Sequence, residues 1–368
     1  MDTAERRATA GLWSIQGIGP ITLEEIRTRV GPPGELLHQP PGTWASLIPW
    51  KGDAFARVMA LPCLAAAADA LEQACRALGQ RILFSGDPAF PSRLETLRDA
   101  PPMLFAFGPA AEAPPRRRLA IVGTRDPVSG FLPRVEAIAE EAGCYGVCIV
   151  SGAARGIDQA AHRGALSARA ETWAFMGCGL DEIDSGQRAL CQAILDAGGT
   201  VLTEFPPGFR ANLNSFTLRN RLISGASDAV LVVRAPKKSG ALKTAEFALE
   251  QHRPLLVTPG DPWDITAEGS NELLRDGHAR VHLDFADLRD ALGYTGSMSP
   301  PEPMELDLSE LSAPARLLLD QLGRGAADFE GLQCAMPALT SGEISSGLVE
   351  LEVFGAVLHK GGRRYEKR

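Results

Sequence analysis

The feature that most constrains the fold is an alternation of short apolar runs with longer amphipathic segments between residues 116 and 290. The apolar runs have the length of buried strands, and the segments between them have helical spacing. Neighbouring parallel strands need a crossover of about a dozen residues, usually a helix. The pattern therefore predicts an α/β fold with an extended Rossmann-like, doubly wound and mostly parallel sheet.

Six strands and five helices follow from this alternation. Ligands of such sheets bind at the carboxyl ends of the strands, so the residues that follow each strand are candidates for the functional site. The predicted strands cover residues 119–123, 148–152, 171–177, 200–204, 229–233 and 255–258. The predicted helices cover residues 133–142, 156–168, 185–197, 220–225 and 241–251.

Two breaks in composition delimit this central region. Residues 108–118 are rich in Pro and Ala and end in a basic run, and residues 295–312 are rich in Pro, Ser and acidic residues. Such stretches are typical of connectors and linkers. We expect a helical domain with a connector at 1–107, a Rossmann-like domain at 108–292, a linker at 293–312 and a winged-helix domain at 313–368.

The flanking regions give weaker signals. Residues 17–19, Gly-Ile-Gly, lie between two helical runs, as in a helix-hairpin-helix (SAM-like) module, and form either a phosphate-contacting hairpin or a structural turn. Residues 81–107 contain four prolines and suggest an extended connector. Three helical stretches and a hairpin around residues 361–362 indicate a winged helix, or another small α+β cap.

Composition restricts the compartment and the class of protein. Apolar residues make up 45% and charged residues 22% of the chain, as in soluble globular proteins. No run approaches the ~18 apolar residues of a membrane helix, and the N-terminus lacks a secretory pattern. The seven cysteines have no metal-ligand spacing, so we expect reduced thiols in the cytoplasm, no metal and no membrane partner.

The net charge of −8 argues against a generally basic, nucleic-acid-binding surface. Residues 116–290, however, carry 20 Lys and Arg against 22 Asp and Glu. A near balance permits a local cationic pocket. Any nucleic-acid binding must therefore come from a focused site.

Small and basic residues follow the first two predicted strands. A glycine at a strand exit permits close backbone approach, a hydroxyl can bond an anion, and arginine can bind a phosphate with two donors. The turn after the second strand leaves backbone amides free at a helix N-terminus, which favours anions. The candidates are Gly123, Thr124, Arg125, Ser151, Gly152, Arg155 and Gly156.

The fourth strand is followed by an aromatic residue, an amide and two arginines within six residues. This is the chemistry that single-stranded nucleic acid needs, because rings stack on bases and guanidinium groups bind phosphates. The alternative is a core Phe216 with both arginines in structural ion pairs. The candidates here are Phe216, Arg219, Asn220 and Arg221, and a Ser-Gly turn with three lysines beside it follows the fifth strand.

Other chemistries are disfavoured. The second-strand turn is not Gly-x-Gly-x-x-Gly at a first strand, which argues against a dinucleotide cofactor. No serine is flanked as in a nucleophile elbow. Asp158 and His162 lie four residues apart and could form a catalytic pair, but an acid that stabilises its own helix N-terminus is the simpler interpretation. We expect no cofactor and no catalytic residue.

Six motifs in this order resemble the DprA/Smf family. They are Ala-Ile-Val-Gly-Thr-Arg at 120–125, Ser-Gly-x-Ala-Arg-Gly-Ile-Asp at 151–158, Glu-Phe-Pro-Pro-Gly at 204–208, Phe-x-x-Arg-Asn-Arg-Leu-Ile-Ser-Gly at 216–225, Ser-Gly-x-Leu-x-Thr-Ala at 239–245 and Gly-Ser-Asn-Glu-Leu-Leu at 269–274. The resemblance implies a non-enzymatic protein that binds single-stranded DNA, loads the recombinase RecA during natural transformation and forms a homodimer through the Rossmann-like domain.

The resemblance also implies that the candidates above form the DNA pocket together with Ser215, with Lys243 as an addition. It further implies that residues 269–281 lie near the dimer and RecA surface. The sequence departs from the family at 212–215, which lack the usual His or basic residue, at Thr217, where the family has Pro, and at 181–189, which lack Tyr-Pro. Arg210 is a candidate for the missing charge.

An enzyme is the alternative. Anion turns and a Thr-x-Glu sequence at 244–246 are similar to those of phosphoribohydrolases that act on nucleotides. Those enzymes, however, carry a Pro-Gly-Gly-x-Gly-Thr loop, and residues 238–244 here lack two of its glycines. The third possibility is that the winged helix, and not the central pocket, is the main DNA-binding part of the chain.

Overall fold

The structure is a computed structural model that describes residues 2–50, 52–109, 117–128, 130–294, 311–325, 327–353, 356–360 and 364–367. The chain forms two compact units, Met1–Met298 and Ser299–Arg368. Within the described residues, no helix combines the length and the apolar character needed to cross a membrane.

The first unit is built on a nine-stranded sheet. The strands are β1 (Arg81–Phe84), β2 (Met103–Phe107), β3 (Arg118–Gly123), β4 (Cys148–Ser151), β5 (Thr172–Phe175), β6 (Thr200–Thr203), β7 (Ala229–Arg234), β8 (Leu255–Val257) and β9 (Arg280–Val281). Their order in the sheet is β1-β2-β6-β5-β4-β3-β7-β8-β9. The seven strands from β6 to β9 pair in parallel, and β1 and β2 add antiparallel pairs at one edge. The predicted α/β fold with a mostly parallel sheet is confirmed.

Eleven helices are described in this unit. They are α1 (Thr3–Trp13), α2 (Pro20–Arg29), α3 (Ala54–Met59), α4 (Leu64–Leu78), α5 (Leu132–Cys144), α6 (Ile157–Ser167), α7 (Ser185–Asp196), α8 (Leu213–Gly225), α9 (Gly240–Glu250), α10 (Glu268–Arg275) and α11 (Phe285–Ala291).

Helices cover both faces of the sheet, because alternate residues of each strand face opposite sides. In β3, Leu119 and Ile121 belong to a core cluster with α5, α6 and α11. Ala120 and Val122 belong to a second cluster with α8 and α9. A third cluster joins α1 and α4 to sheet residues near β2 and β6. Burial on both faces explains why the parallel strands are continuous apolar runs.

Residues 81–107 are not the predicted connector. They form the β1–β2 pair, and β2 hydrogen-bonds to β6. The prolines of this segment lie outside the two strands, where the missing N–H does not interrupt a ladder. The apolar run Met103–Phe107 is almost entirely buried. This run indicates a strand, but the four prolines of the segment led to the prediction of a connector.

The sheet order reverses between β3 and β7. The chain moves from β3 through β4 and β5 to β6 in one direction, then returns to β7 on the other side of β3 and continues to β8. Helices from the two halves lie on opposite faces, which leaves a crevice at the carboxyl ends of β3 and β7. This is the usual ligand site of such sheets.

The second unit has a core of its own, which includes Leu318, Leu332, Ile344 and Leu351. Its elements are α12 (Ala313–Leu322), β10 (Ala327–Asp328), α13 (Phe329–Ala335), α14 (Ser341–Val353), β11 (Val357–Lys360) and β12 (Arg364–Lys367). The three strands pair in the order β10-β12-β11.

Several predictions about the flanking regions stay predictions. The turn at 361–362 and residues 295–310 of the linker lie outside the described residues. The winged-helix assignment of the second unit and the division of the first unit near residue 107 are untested. Residues 17–19 do lie between α1 and α2, but a DNA contact there is also untested.

Candidate nucleic-acid interface

A pocket of about 370 Å³ opens at the crevice between β3 and β7. Five predicted site residues line it: Gly123, Arg125, Phe216, Arg219 and Asn220. It is bounded by the turns after β3, β4 and β7, by one face of α8 and by the first turn of α9. The pocket thus lies at the strand ends, where the sequence predicts ligand binding.

Two glycines allow the backbone to close around the pocket floor. A Cβ on Gly123 would lie 2.6 Å from Cγ1 of Ile157. Gly156 has a φ of +91°, and a Cβ there would lie 2.5 Å from the carbonyl oxygen of Thr124. Thr124 is itself buried, donates its N–H to the Arg234 carbonyl and accepts from the N–H of Asp126. Thr124 thus shapes the loop.

Phe216 lies close to two guanidinium groups. The ring centroid is 5.4 Å from Cζ of Arg125 and 6.0 Å from Cζ of Arg219. The ring packs over Gly177, where a Cβ would come within 2.8 Å of Cδ1 of Phe216. Phe216 is half-buried and Arg125 is exposed. The ring and one cation can therefore reach a ligand together.

Arg219 is part of the pocket wall. Its Nη1 donates to the carbonyl oxygen of Gly152 at 2.8 Å and to that of Phe175. Its Nε donates to Oδ1 of Asn220 at 3.1 Å. Burial lowers the pKa of this guanidinium to about 10, and the group stays charged at neutral pH. Arg219 ties the carboxyl ends of β4 and β5 to α8.

Asp158 lines the pocket and lies beside Arg219. Its Oδ2 accepts from the N–H of Gly152 at 3.2 Å, and the Ala154 N–H also donates to it. Burial raises the pKa of Asp158 to about 6, against the lowering effect of Arg219. These hydrogen bonds agree with the simpler interpretation, in which Asp158 stabilises the N-terminus of its own helix.

His162 does not complete a pair with Asp158. Its Nδ1 hydrogen-bonds to Oγ1 of Thr172 at 2.7 Å, and its Nε2 is buried without a partner. Burial, with help from Arg219, lowers the pKa of His162 to about 3. The imidazole is therefore neutral near pH 7 and is enclosed behind the pocket.

The first turn of α9 forms another wall of the pocket. Its pocket-lining residues are not among the predicted site residues, although the sequence shows a Ser-Gly turn there. Ser239 caps the helix by accepting from the N–H of Ala241, and Asn220 Nδ2 donates to the carbonyl oxygen of Gly240 at 3.1 Å. Ser239, Gly240 and Thr244 all line the pocket. Lys243 is exposed and pairs with Glu246 at 2.7 Å, outside the lining.

The helix that carries Phe216 begins earlier than predicted. Asn212 Oδ1 accepts from the N–H of Ser215 at 3.0 Å, and Ser215 Oγ accepts from the N–H of Asn212 at 2.9 Å. This capping box starts α8 at Leu213. Leu213 is 87% exposed at the pocket rim, at a position where the sequence offers no cation. No periodicity signal reveals such a cap.

Three further predicted contacts, Ser151, Ser215 and Arg221, are enclosed and do not line the pocket. Ser151 is fully buried and donates to the carbonyl oxygen of Ile121, and Ser215 is used in the cap. Arg221 is 2% exposed and forms ion pairs with Glu204 at 2.5 Å and with Asp99 at 2.9 Å. For Arg221 the structure supports the alternative, a structural ion pair.

Two further predicted cations are exposed but lie outside the pocket lining. Arg155 forms an ion pair with Asp126, and Arg210 lies 3.4 Å from Glu182. Surface pairs of this kind contribute little to stability and leave the cations available to an anionic ligand.

Similarity to known proteins covers most of the chain. A family model for DNA recombination-mediator protein A matches residues 81–293. Protein Smf of Synechocystis sp. is 31% identical over 331 residues, which is 78% of this chain and 80% of that protein. A putative DNA processing protein DprA of Mycobacterium tuberculosis is 33% identical over 314 residues, which is 81% of this chain and 79% of that protein.

Two solved structures are similar in fold. DNA processing protein A from Streptococcus pneumoniae gives a TM-score of 0.64 at 25% identity and covers 80% of this chain and 99% of its own. The second is DNA processing protein A from Helicobacter pylori, whose structure describes a single-stranded DNA binding mode. It gives a TM-score of 0.52 at 30% identity, and the match covers 58% of this chain and 95% of that chain.

Replacing Arg221 tests its structural role. Arg221→Met leaves Glu204 buried without its cation, and we expect a loss of about 3–5 kcal/mol in the free energy of unfolding. Urea denaturation followed by circular dichroism measures this loss. Arg210→Met, at an exposed position, should unfold at the wild-type urea concentration. Equal stability of the two variants would contradict the assignment.

Replacing His162 tests its buried neutral state. With a folded pKa of about 3, His162 binds its proton less readily than in the unfolded chain, so stability is lost as the pH falls below its ordinary value of 6.5. Asp158 acts with the opposite sign between about pH 6 and 4. We expect His162→Gln to gain about 1.4 kcal/mol relative to wild type per pH unit of acidification below 6.5. Unfolding at several pH values measures this, with His278→Gln, at an exposed position, as the control.

Proposed function

This chain belongs to the DNA recombination-mediator protein A family, and from that membership we propose that it binds single-stranded DNA in the pocket between β3 and β7. The observation that carries the proposal is the half-buried Phe216 ring beside the exposed Arg125 guanidinium, 5.4 Å away. An aromatic face with an adjacent cation can stack a base and hold the neighbouring phosphate.

The other walls suit a nucleotide as well. The N-terminus of α9 favours a negative group, and Gly240 there has open space around it. Asn220 fixes the position of that turn through the Gly240 carbonyl. Affinity in a chain of net charge −8 then depends on these few groups at short range.

The pocket favours single strands over duplex. A base can cover the Phe216 ring only after it has left a stacked duplex, and unstacking costs a few kcal/mol. An unpaired strand does not have this cost. We therefore expect preference for single-stranded DNA to come from stacking, with little dependence on sequence.

We propose further that the protein is not an enzyme. Among the described lining residues Asp158 is the one carboxylate, and backbone N–H groups hold it in its turn. Glu246, the acid of the Thr-x-Glu sequence, pairs with Lys243 and does not line the pocket. Neither group is positioned as the acid or base of a phosphoribohydrolase.

The remaining parts of the proposal come from the family. We propose that the protein loads RecA onto the single strand during natural transformation, that it acts in the cytoplasm, and that it forms a homodimer through the Rossmann-like domain. The second unit is proposed to be a winged helix. Its order of helix, strand, two helices and a hairpin supports this.

Two variants separate stacking from phosphate binding. Phe216→Ala should weaken binding of oligo-dT by roughly 1–3 kcal/mol with little change in salt dependence, because stacking involves no counterion release. Arg125→Gln should weaken binding and reduce the slope of log K against log salt by about 0.7, the value for one phosphate of a single strand. Fluorescence anisotropy at several salt concentrations measures both.

The control is Arg155→Gln, whose exposed cation lies outside the pocket lining. It should change affinity less than Arg125→Gln. Absence of oligo-dT binding, or equal losses with duplex DNA, would contradict the proposed single-strand pocket.

RecA loading has its own test. On single-stranded DNA covered by single-strand-binding protein, the wild type should shorten the lag of RecA ATP hydrolysis, and Phe216→Ala should not at equal concentration. Failure of the wild type to shorten the lag, with oligo-dT binding intact, would reject loading and retain DNA binding.

A further inference from the structure

Four arginines lie around one buried carboxylate at the amino-terminal edge of the sheet, the edge opposite the pocket. The carboxylate is Asp228, which is 9% exposed and directly precedes β7. The arginines are Arg93, Arg117, Arg118 and Arg253. Such a cluster in a chain of net charge −8 is a candidate site for an anion.

Asp228 holds the first residues of the two central strands together. Its Oδ2 accepts from the N–H of Arg118 at 2.8 Å, and its own N–H donates to the Arg118 carbonyl at 2.8 Å. Its Oδ1 accepts from Nη1 of Arg117 at 3.0 Å and from Nη2 of Arg93. One cation is enough to neutralise one buried carboxylate, so this structural role accounts for only part of the positive charge.

Arg118 and Arg253 also hold the end of α8. Nη1 of Arg118 donates to the Ala226 carbonyl at 3.4 Å, and Nη2 of Arg253 donates to the Gly225 carbonyl at 3.0 Å. The buried Nε of Arg253 has no hydrogen-bond partner among the described residues. Burial and then Arg93 lower the pKa of Arg253, whereas Asp228 raises it. The charge of Arg253 is therefore compensated only in part.

The cluster has more cations than carboxylates. Arg93, Arg117 and Arg253 are three guanidinium groups beside the single carboxylate of Asp228, which leaves a surplus of two positive charges. Arg118 is 6% exposed and is not counted. Like charges at short range repel each other, and a bound anion removes this cost. The side chains of Arg93 and Arg117 are 32% and 43% exposed, so an anion can reach them from solution.

We propose that this cluster is a second anion site, which binds a phosphate group through Arg93, Arg117 and Arg253. Guanidinium groups bind phosphate with paired hydrogen bonds. Arg93 comes from the 3₁₀ helix Ser92–Thr96 and Arg117 directly precedes β3, yet both donate to the same Oδ1 of Asp228. Two guanidinium groups that converge on one carboxylate oxygen can also converge on a phosphate oxygen.

The anion site is separate from the single-strand pocket. The pocket lies at the carboxyl ends of β3 and β7, and Asp228 lies at their amino ends. Strand β3 has six residues, which at about 3.3 Å per residue places the two sites roughly 20 Å apart. A phosphate at the cluster does not compete with a base on Phe216, so this inference does not depend on the proposed function.

Isothermal titration calorimetry with inorganic phosphate and with pyrophosphate tests the site. The titrations use the Arg125→Gln protein, in which the pocket has lost its exposed cation. Adding Arg117→Gln should weaken phosphate binding at least about tenfold, because a charge-assisted hydrogen bond is lost. Arg93 still pairs with Asp228 in this variant, so the fold is retained. Adding Arg155→Gln, at an exposed position far from the cluster in sequence, is the matched control and should leave the affinity unchanged.

A second variant separates ligand binding from a structural role. The carboxylate of Asp228 competes with a phosphate for the same guanidinium groups. Asp228→Asn should therefore bind phosphate several-fold more tightly, even though the loss of two ion pairs lowers its stability. A cluster with a structural role alone would lose stability without gaining affinity, and that result would overturn the inference.

Oligo-dT distinguishes two sources of the phosphate group, a small molecule and a nucleic-acid backbone. If Arg117→Gln weakens binding of oligo-dT of about 16 nucleotides as well as phosphate, the group belongs to a backbone. If it weakens phosphate and pyrophosphate alone, the group belongs to a small molecule.

The outcomes also separate the anion site from the single-strand pocket. Equal phosphate affinity with and without the Arg117 guanidinium, or no phosphate binding to the Arg125→Gln protein, would reject the anion site and leave the pocket untouched. Phosphate binding that depends on Arg117 in a protein that does not bind oligo-dT would reject the pocket and retain the anion site.

Discussion

The parallel pairing of β3 with β7 is the interaction on which the rest of the site depends. It joins residues that lie 110 positions apart, with Leu119 opposite Ala229 and Gly123 opposite Arg234. The amide of Thr124 extends the pairing by donating to the Arg234 carbonyl at 2.7 Å. Because the chain leaves these two strands on opposite faces of the sheet, their carboxyl ends diverge and open the pocket. A close approach at Gly123 and Gly156 then lets the loops pack without side chains between them.

The sequence was sufficient to predict the sheet and the location of the pocket, because buried parallel strands are apolar runs and ligands gather at strand ends. The sequence was not sufficient to predict which side chains line the pocket and which are enclosed in the protein. Arg219 and Arg221 are two residues apart and share one residue type, yet the first lines the pocket and the second is enclosed against Glu204 and Asp99. Residues two positions apart point to nearly opposite sides of a helix. Arg219 lies outside the predicted helix at 220–225, however, because the real helix begins earlier, at the capping box of Asn212 and Ser215. Such a cap is a local hydrogen-bond pattern without hydrophobic periodicity. The β1–β2 pair was not predicted, because the segment contains four prolines and its apolar strands are only four and five residues long.

Buried charge has two distinct uses in this fold. Arg219 keeps its charge in the pocket wall by donating to two carbonyl oxygens beside Asp158, and so joins α8 to the ends of β4 and β5. Arg221 is neutralised by carboxylates and joins α8 to Glu204, the residue after β6. The exposed Arg125 remains for a ligand. An acidic protein can thus present a cationic site, because Arg125 stays exposed at the pocket while Arg219 and Arg221 hold its walls in place.

The bond between Trp13 and Glu204 has a consequence for modularity. The indole N–H of Trp13 donates to the Glu204 carbonyl at 2.6 Å, and Glu204 in turn holds Arg221 of α8. The same apolar cluster contains Leu12 and Leu64 from the N-terminal helices and Phe105 and Val201 from the sheet. The helices before residue 81 therefore share a core with the sheet, and their removal from this chain would leave Phe105 and Val201 facing water.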